Sequence, residues 1–393
     1  MMADASGPKR RVLHLLDHIG AGGAQQLILD IVQNADPSCF EFTVAYFFDR
    51  HHFRKEYEDA GCRVAYLGGK NYRPGNLWDP RLILRARKLL RGTEGFDVIH
   101  VHLYYSLLAG PLAARMSSYP PAKVVYTLHA LRHQLPFYTF PAMRMVSPLI
   151  GTFVAEVELS RQEMLRAGIP QEKIVSIQLA TRYTHLDGAD VPQEGGLRSE
   201  LGIDPSAPVV LNIGRLHKAK GQALLIDAAA QVVRVVPNCV FLIVGDGEEE
   251  ARLRAHIRSR NLQSNVLLAG YRRDLPALYT VADVVAVSSL QEGVGVVTLD
   301  SLAWGKPVVA FDVGALGEVV RPGETGFLVR AGDVEGFAHA LVCCLTQPEM
   351  GRALGSKGQD LVRQQYSLPA MVSGYERLYS QIGQSGTVRW MPA

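Results

Sequence analysis

At 393 residues the chain is too long for one ordinary domain and reads as two of roughly 150 to 200 residues each. With 48% hydrophobic and 20% charged residues it can bury large cores, and a formal net charge of +3 gives no ground for a nucleic-acid partner, so any basic surface must be local. The opening MMADASGPKRR lacks the apolar core of a secretory signal, and no run approaches about eighteen apolar residues.

Five cysteines (Cys39, Cys62, Cys239, Cys343, Cys344) show neither metal-ligand nor disulfide-framework spacing. They read as reduced, mostly core thiols in a cytoplasmic protein. No D-x-D occurs, so the usual carboxylate pair of a metal-dependent nucleotide-sugar site is missing.

In chain order, the first half alternates short apolar strands with helix-length amphipathic segments. The strands are RVLHLLD, FEFTVAYFF, CRVAYLG, VIHVHL, KVVYTLH, GTFVAEV and KIVSIQL. Continuous β-branched runs of this kind mark buried parallel strands. After the first strand comes DHIGAGGAQQ, where Gly20, Gly22 and Gly23 make a turn opening a helix. Such a turn lets a ligand approach the backbone and presents free N–H groups. It is not G-x-G-x-x-G, because Gln25 stands in the third glycine's place. The helix PRLILRARKLLR carries Arg81, Arg85, Lys88 and Arg91 along one side. A solvated face is its first reading, and peripheral contact with the inner face of an anionic membrane its second. His100 and His102 alternate with valine along a strand and read as packing or supporting residues. His129, at the end of the fifth strand, is expected to point into a cleft.

A polar stretch, HLDGADVPQEGGLRSELGIDPSAP, separates this half from the next. The alternation then restarts with PVVLNIG, VFLIVGDG, NVLLAG, VVAVSS, PVVAFD and GFLV. The expected architecture is α/β: two Rossmann-like, doubly wound parallel-sheet domains facing across a cleft. The N-terminal domain is expected over residues 1–185, completed by a C-terminal helix at about 366–386. Residues 186–205 are the expected linker, and 206–365 the C-terminal domain. Ligands of open α/β sheets bind at the carboxyl ends of the strands, so site residues should follow strands directly.

Four features of the second half do so. Arg215 ends the first strand and Lys220 follows near a helix start; together they suit a phosphate, the guanidinium as a fork and the ammonium as a point charge. Lys218 reads as surface charge. The three glutamates after Gly-Asp-Gly suit the helix dipole and carry no chemistry. QEGVGVVTLD then places Glu292 ahead of a helix that begins near Val296, with Gly293 and Gly295 thinning the backbone. The N–H groups of Val296 and Val297 suit a phosphate, and Asp300 lies about one turn on.

This order of motifs resembles the family 4 retaining glycosyltransferases, of GT-B architecture. The resemblance runs from about Val12 to about Tyr379. It is strongest in GRLHKAKGQALLIDAA, IVGDGEEEARL, LYTVADVVAVSSLQEGVGVVTLDSLAWGKPVVAFDVGALGEVV and GETGFLV. It implies that Glu292 and Asp300 stand for the family's E-x7-E pair, Glu292 touching the transferred sugar and Asp300 the ribose. Arg215 and Lys220 would hold the diphosphate, Gly22 and Gly23 would approach the donor, and His129 would contact the sugar. The implied substrate is a UDP- or GDP-sugar, with no cofactor and no metal, and a carbohydrate or lipid-linked acceptor on the first domain, near HALRHQLPFYTFPAMRMVSPLIG. The implied reaction is metal-independent hexose transfer with retention, in polysaccharide or glycolipid assembly. The sequence departs from the family in Asp300, one methylene shorter than glutamate, in Val294 for an aromatic, and in LATRYTHLD for an Asn-Gly turn. Two alternatives stand: a GT-B enzyme of the nucleotide-sugar epimerase type, and a catalytically idle sugar-nucleotide-binding protein.

Overall fold

The computed structural model describes residues 8–20, 22–70, 79–92, 95–132, 135–183 and 194–382. The chain divides into two compact units: residues 1–179 with 368–393, and residues 180–367. Residues 186–193 of the expected linker lie outside the described residues, and 194–200 form a helix of the second unit.

The first unit holds a seven-stranded sheet of β1 (Arg10–Leu16), β2 (Phe40–Phe48), β3 (Arg63–Gly69), β4 (Val98–His102), β5 (Val124–Leu128), β6 (Thr152–Ala155) and β7 (Ile174–Ser176). The order is β3-β2-β1-β4-β5-β6-β7, and every pairing is parallel. The seven strands are those expected from the apolar runs. β4, β5 and β6 are buried at every residue because helices cover the sheet, as crossovers between parallel strands require, whereas the edge strands β3 and β7 are only partly buried. Helix Leu368–Gln381 returns to this unit and buries Tyr375 and Tyr379 completely.

The second unit holds β8 (Val209–Ile213), β9 (Val240–Val244), β10 (Val266–Leu268), β11 (Val284–Val287), β12 (Val308–Asp312) and β13 (Gly326–Arg330). The order is β10-β9-β8-β11-β12-β13, again all parallel. In both sheets the order reverses direction once, between β1 and β4 and between β8 and β11. Crossovers leave on opposite faces there, which opens a crevice at the carboxyl ends. Close packing demands glycine at the β9 end: a Cβ on Gly245 would lie 2.0 Å from the Gly214 carbonyl oxygen. Among the described residues no helix is long and apolar enough to cross a membrane. All five cysteines are free; Cys62, Cys239 and Cys344 are buried, whereas Cys39 is exposed.

Candidate active site

In the second unit Lys220 and Glu292 meet at the β8/β11 switch point, while Arg215 stands just past β8 and Val296, Val297 and Asp300 lie on the helix after β11. Arg215 is exposed just past β8, and Lys218 is exposed as surface charge. The loop after β8 is tied to the loop after β11. Leu290 and Gln291 donate their N–H groups to the Ala219 carbonyl, and the Ser288 hydroxyl donates to the Lys220 carbonyl at 2.9 Å. Gly221 allows this approach: its φ is +64°, and a Cβ there would lie 2.0 Å from the Ser288 oxygen. The zipped loops bring the Lys220 ammonium to 2.5 Å from Glu292 Oε2. Ser289 Oγ donates to the same oxygen at 2.9 Å.

Glu292 packs against Gly295, whose Cβ, if present, would lie 3.3 Å from the glutamate side chain. Gly295 caps helix Val296–Ala303 at φ 73°. Val296 and Val297 are the first two residues of that helix, where N–H groups have no intrahelical acceptor. A cation, a carboxylate and free helix N–H groups thus share one strand end. Val294 turns inward and is buried, filling core volume with the smaller side chain.

Asp300 lies one turn along the same helix and is only 5% exposed. Thr181 Oγ1 donates to its Oδ1 at 2.5 Å. Thr181 itself is anchored by its N–H to the Tyr366 carbonyl at 3.1 Å. Sequence reasoning missed this partner. Thr181 sits in the LATRYTHLD segment that departs from the family's Asn-Gly turn, which was the one available signal.

In the first unit Gly22 and Gly23 are exposed at the start of helix Gly23–Asn34, with Gly22 as the N-cap. Gln25, which broke the dinucleotide fingerprint, is buried and donates from Nε2 to the His18 carbonyl at 3.2 Å. Gly22 makes room for it, since a Cβ there would lie 2.5 Å from Gln25 Oε1.

His129 follows β5, but its ring does not stand free. Nδ1 lies 3.0 Å from Glu156 Oε1 and Nε2 lies 2.9 Å from His102 Nδ1. Its side chain is 6% exposed. His102 Nε2 lies 2.9 Å from His14 Nδ1. His100 is held separately, by Tyr379 at 2.8 Å and Thr127 at 2.7 Å. Burial, followed by the neighbouring His129 ring, lowers His14 to about 3; burial first, then neighbouring rings, also holds His100 and His102 well below the usual histidine range. Among the described residues, His14, His100 and His102 have metal-ligand spacing. Hydrogen bonds occupy every ring nitrogen of the three except His14 Nε2. His100 and His102 are therefore supporting residues, as their alternation with valine suggested. Glu156 and His14 were missed, although Glu156 follows β6 as His129 follows β5.

Two family models cover most of the chain: Glycosyltransferase Family 4 matches residues 21–180, and Glycosyl transferases group 1 matches residues 195–361. The chain belongs to the family 4, group 1 glycosyltransferases. Arg215, Lys220, Glu292 and Asp300 lie in the second match, and Gly22, Gly23 and His129 in the first. The glycosyltransferase fold here is GT-B, built from the two parallel-sheet units. Anabaena HepE in complex with UDP-glucose is 25% identical, with a TM-score of 0.78 over 94% of this chain and 99% of that one. Alpha-D-kanosaminyltransferase of Streptomyces kanamyceticus is 27% identical over 315 residues, 77% of this chain and 81% of that protein. The UDP-Gal:alpha-D-GlcNAc-diphosphoundecaprenol alpha-1,3-galactosyltransferase of Escherichia coli is 26% identical over 275 residues, covering 67% and 70%.

Proposed function

We propose that this glycosyltransferase moves a hexose from a UDP-sugar to a hydroxyl of a carbohydrate or lipid-linked acceptor, with retention and without a metal ion. The observation that carries the reading is the Lys220–Glu292 pair against the start of helix Val296–Ala303, with Arg215 exposed at the adjacent strand end. An incoming diphosphate competes with Glu292 for Lys220. Once the ammonium turns to the phosphate, the carboxylate is released toward the sugar, where positive charge builds in the transition state. Arg215, Lys220 and the N–H groups of Val296 and Val297 stabilise the departing diphosphate, work that a metal would otherwise do.

Retention follows from departure and attack on one face. The anomeric C–O bond to diphosphate breaks, the acceptor oxygen bonds to the same carbon, and the acceptor's proton passes to the departing phosphate oxygen. Asp300, presented with Thr181, takes the ribose hydroxyls. Gly22 and Gly23 contribute backbone N–H groups to the donor, and His129 serves the sugar. The UDP part draws support from HepE, which binds UDP-glucose, and the lipid-linked acceptor from the E. coli relative. Helix Pro80–Arg91 gives that acceptor's membrane a place to rest, since Arg81, Leu84, Arg85, Lys88 and Arg91 are all exposed. Calorimetric titration with UDP and UDP-glucose, then NMR of the product's anomeric proton, tests the reading. No binding of either nucleotide, or an inverted product, refutes it.

A further inference from the structure

The buried chain from Glu156 to His14 has an order that its chemistry dictates. A carboxylate only accepts, so His129 Nδ1 carries a hydrogen directed at Glu156 Oε1. With neutral rings, His129 Nε2 then accepts from His102 Nδ1–H, and His102 Nε2 accepts from His14 Nδ1–H. All three rings are the same tautomer, and the chain ends at His14 Nε2, buried with no partner. A second complete arrangement exists. If His129 carries hydrogens on both nitrogens, His102 and His14 must each reverse, and the orphan nitrogen becomes an unsatisfied donor. The orphan is an unsatisfied acceptor in the first arrangement and an unsatisfied donor in the second, so the two differ in the charge on His129 and in the tautomers that the spectra below read.

Among the described residues no other polar group relieves it. His14 is flanked by Phe42, by His100 and by the edge of Tyr379. His100 is already saturated by Tyr379 and Thr127. The groups facing the chain are thus Glu156 just past β6, Thr127 from β5, His100 from β4, and Tyr375 and Tyr379 from the C-terminal helix. Glu156 is the one carboxylate among them.

We propose that Glu156, His129, His102 and His14 form one tautomeric chain in which Glu156 is a positioning residue, fixing the tautomer of His129 and, through the ring's orientation, the edge it turns to the donor sugar. The catalytic part of this proposal rests on the assignment of His129 to the donor sugar; the tautomeric part does not. Because both nitrogens of His129 are engaged, a ring turned by loss of Glu156 would disrupt His102 as well. A fixed tautomer held by a buried carboxylate is how a histidine is kept in one productive state.

The full-length protein, with 15N-labelled histidine, reports each ring's tautomer in long-range 1H–15N correlation spectra. The expected wild-type pattern at pH 8 is Nδ1–H on His129, His102 and His14. Glu156→Leu removes the acceptor and should alter all three ring patterns. Glu156→Gln keeps an acceptor oxygen and should restore them. His14→Phe removes only the far end and should leave the His129 tautomer unchanged. With UDP-glucose as donor, Glu156→Leu should lower kcat on the order of 10²-fold with donor KM little changed, and Glu156→Gln should recover most of that loss. An Nε2–H tautomer on neutral His129, a His129 tautomer that follows His14→Phe, or a Glu156→Gln as damaged as Glu156→Leu each overturns the proposal. Should Glu156→Leu not fold, the Gln and Phe variants still decide it. Failure of the wild type to turn over UDP-glucose strikes the donor reading instead, and leaves the spectra to judge the chain.

Discussion

Lys220 donates to Glu292 Oε2 at 2.5 Å, and the Ser289 hydroxyl donates to the same oxygen. The cation proposed for the diphosphate and the acid proposed for the sugar neutralise each other. Glu292→Gln therefore has two separable effects. It removes the charge that acts in the transition state, so kcat should fall on the order of 10²–10³-fold. It also frees Lys220, so UDP affinity should hold or rise slightly. Steady-state kinetics beside calorimetry checks both. A lower UDP affinity with intact kcat would reverse the assignment.

Lys220→Ala and Arg215→Ala should each weaken UDP binding by about 1.5–3 kcal/mol, the range for hydrogen bonds to charged groups. Lys220→Ala should cost more stability than Arg215→Ala. It leaves the Glu292 carboxylate, 14% exposed, without its cation, whereas Arg215 stands in solvent. Calorimetry and thermal melts on the two variants read the difference.

Asp300 and Thr181 should behave as a unit. Asp300→Asn is expected to raise the donor KM with kcat little changed, because ribose contacts persist from ground state to transition state. Thr181→Val removes the hydroxyl that donates to the buried carboxylate and should destabilise the protein by about 1–3 kcal/mol. In a double-mutant cycle on donor KM and on stability, the pair should couple by about 0.5–3 kcal/mol. Additive effects would separate Thr181 from the ribose site.

Gly221→Ala should lower the melting temperature and weaken UDP binding together. The residue sits at φ +64°, and the added Cβ would lie 2.0 Å from the Ser288 oxygen, so the two loops must part. Left-handed strain alone costs about 1–3 kcal/mol. Parting the loops also moves Lys220 away from Glu292. A melt lowered with full UDP affinity would show that the loop zipper does not place Lys220.

The buried histidines set an acid limit on stability. His14, lowered to about 3, and His100, held well below its ordinary value, are neutral in the folded protein and protonate near pH 6.5 when unfolded. Their contribution is full above about pH 6.5 and is lost as pH falls toward the folded values, at about 1.4 kcal/mol per pH unit for each ring. Thermal melts between pH 7 and pH 5 should fall steadily. His100→Gln, which can keep both hydrogen bonds, should take up about one proton fewer on unfolding at pH 5. An unchanged proton uptake would place the acid sensitivity elsewhere.

The strands, the family and the positions of the candidate site residues were legible in the sequence. β-branched runs and turn glycines act within a few residues of chain, so the strands of both sheets were legible. The resemblance supplied roles for Glu292, Asp300, Arg215 and Lys220, and their places after β8 and β11 are where a doubly wound sheet opens its crevice. Partners were another matter. Glu292 meets a lysine 72 positions away, Asp300 a threonine 119 away, and His14 a ring 88 away. His100 is held by Tyr379 across 279 residues. Hydrophobic period says which face a side chain takes; it carries no information on which distant chain packs there. Only the closing of each sheet and the return of the last helix decided that Lys220 would rest on Glu292, and that His129 would have both ring nitrogens taken inside the protein.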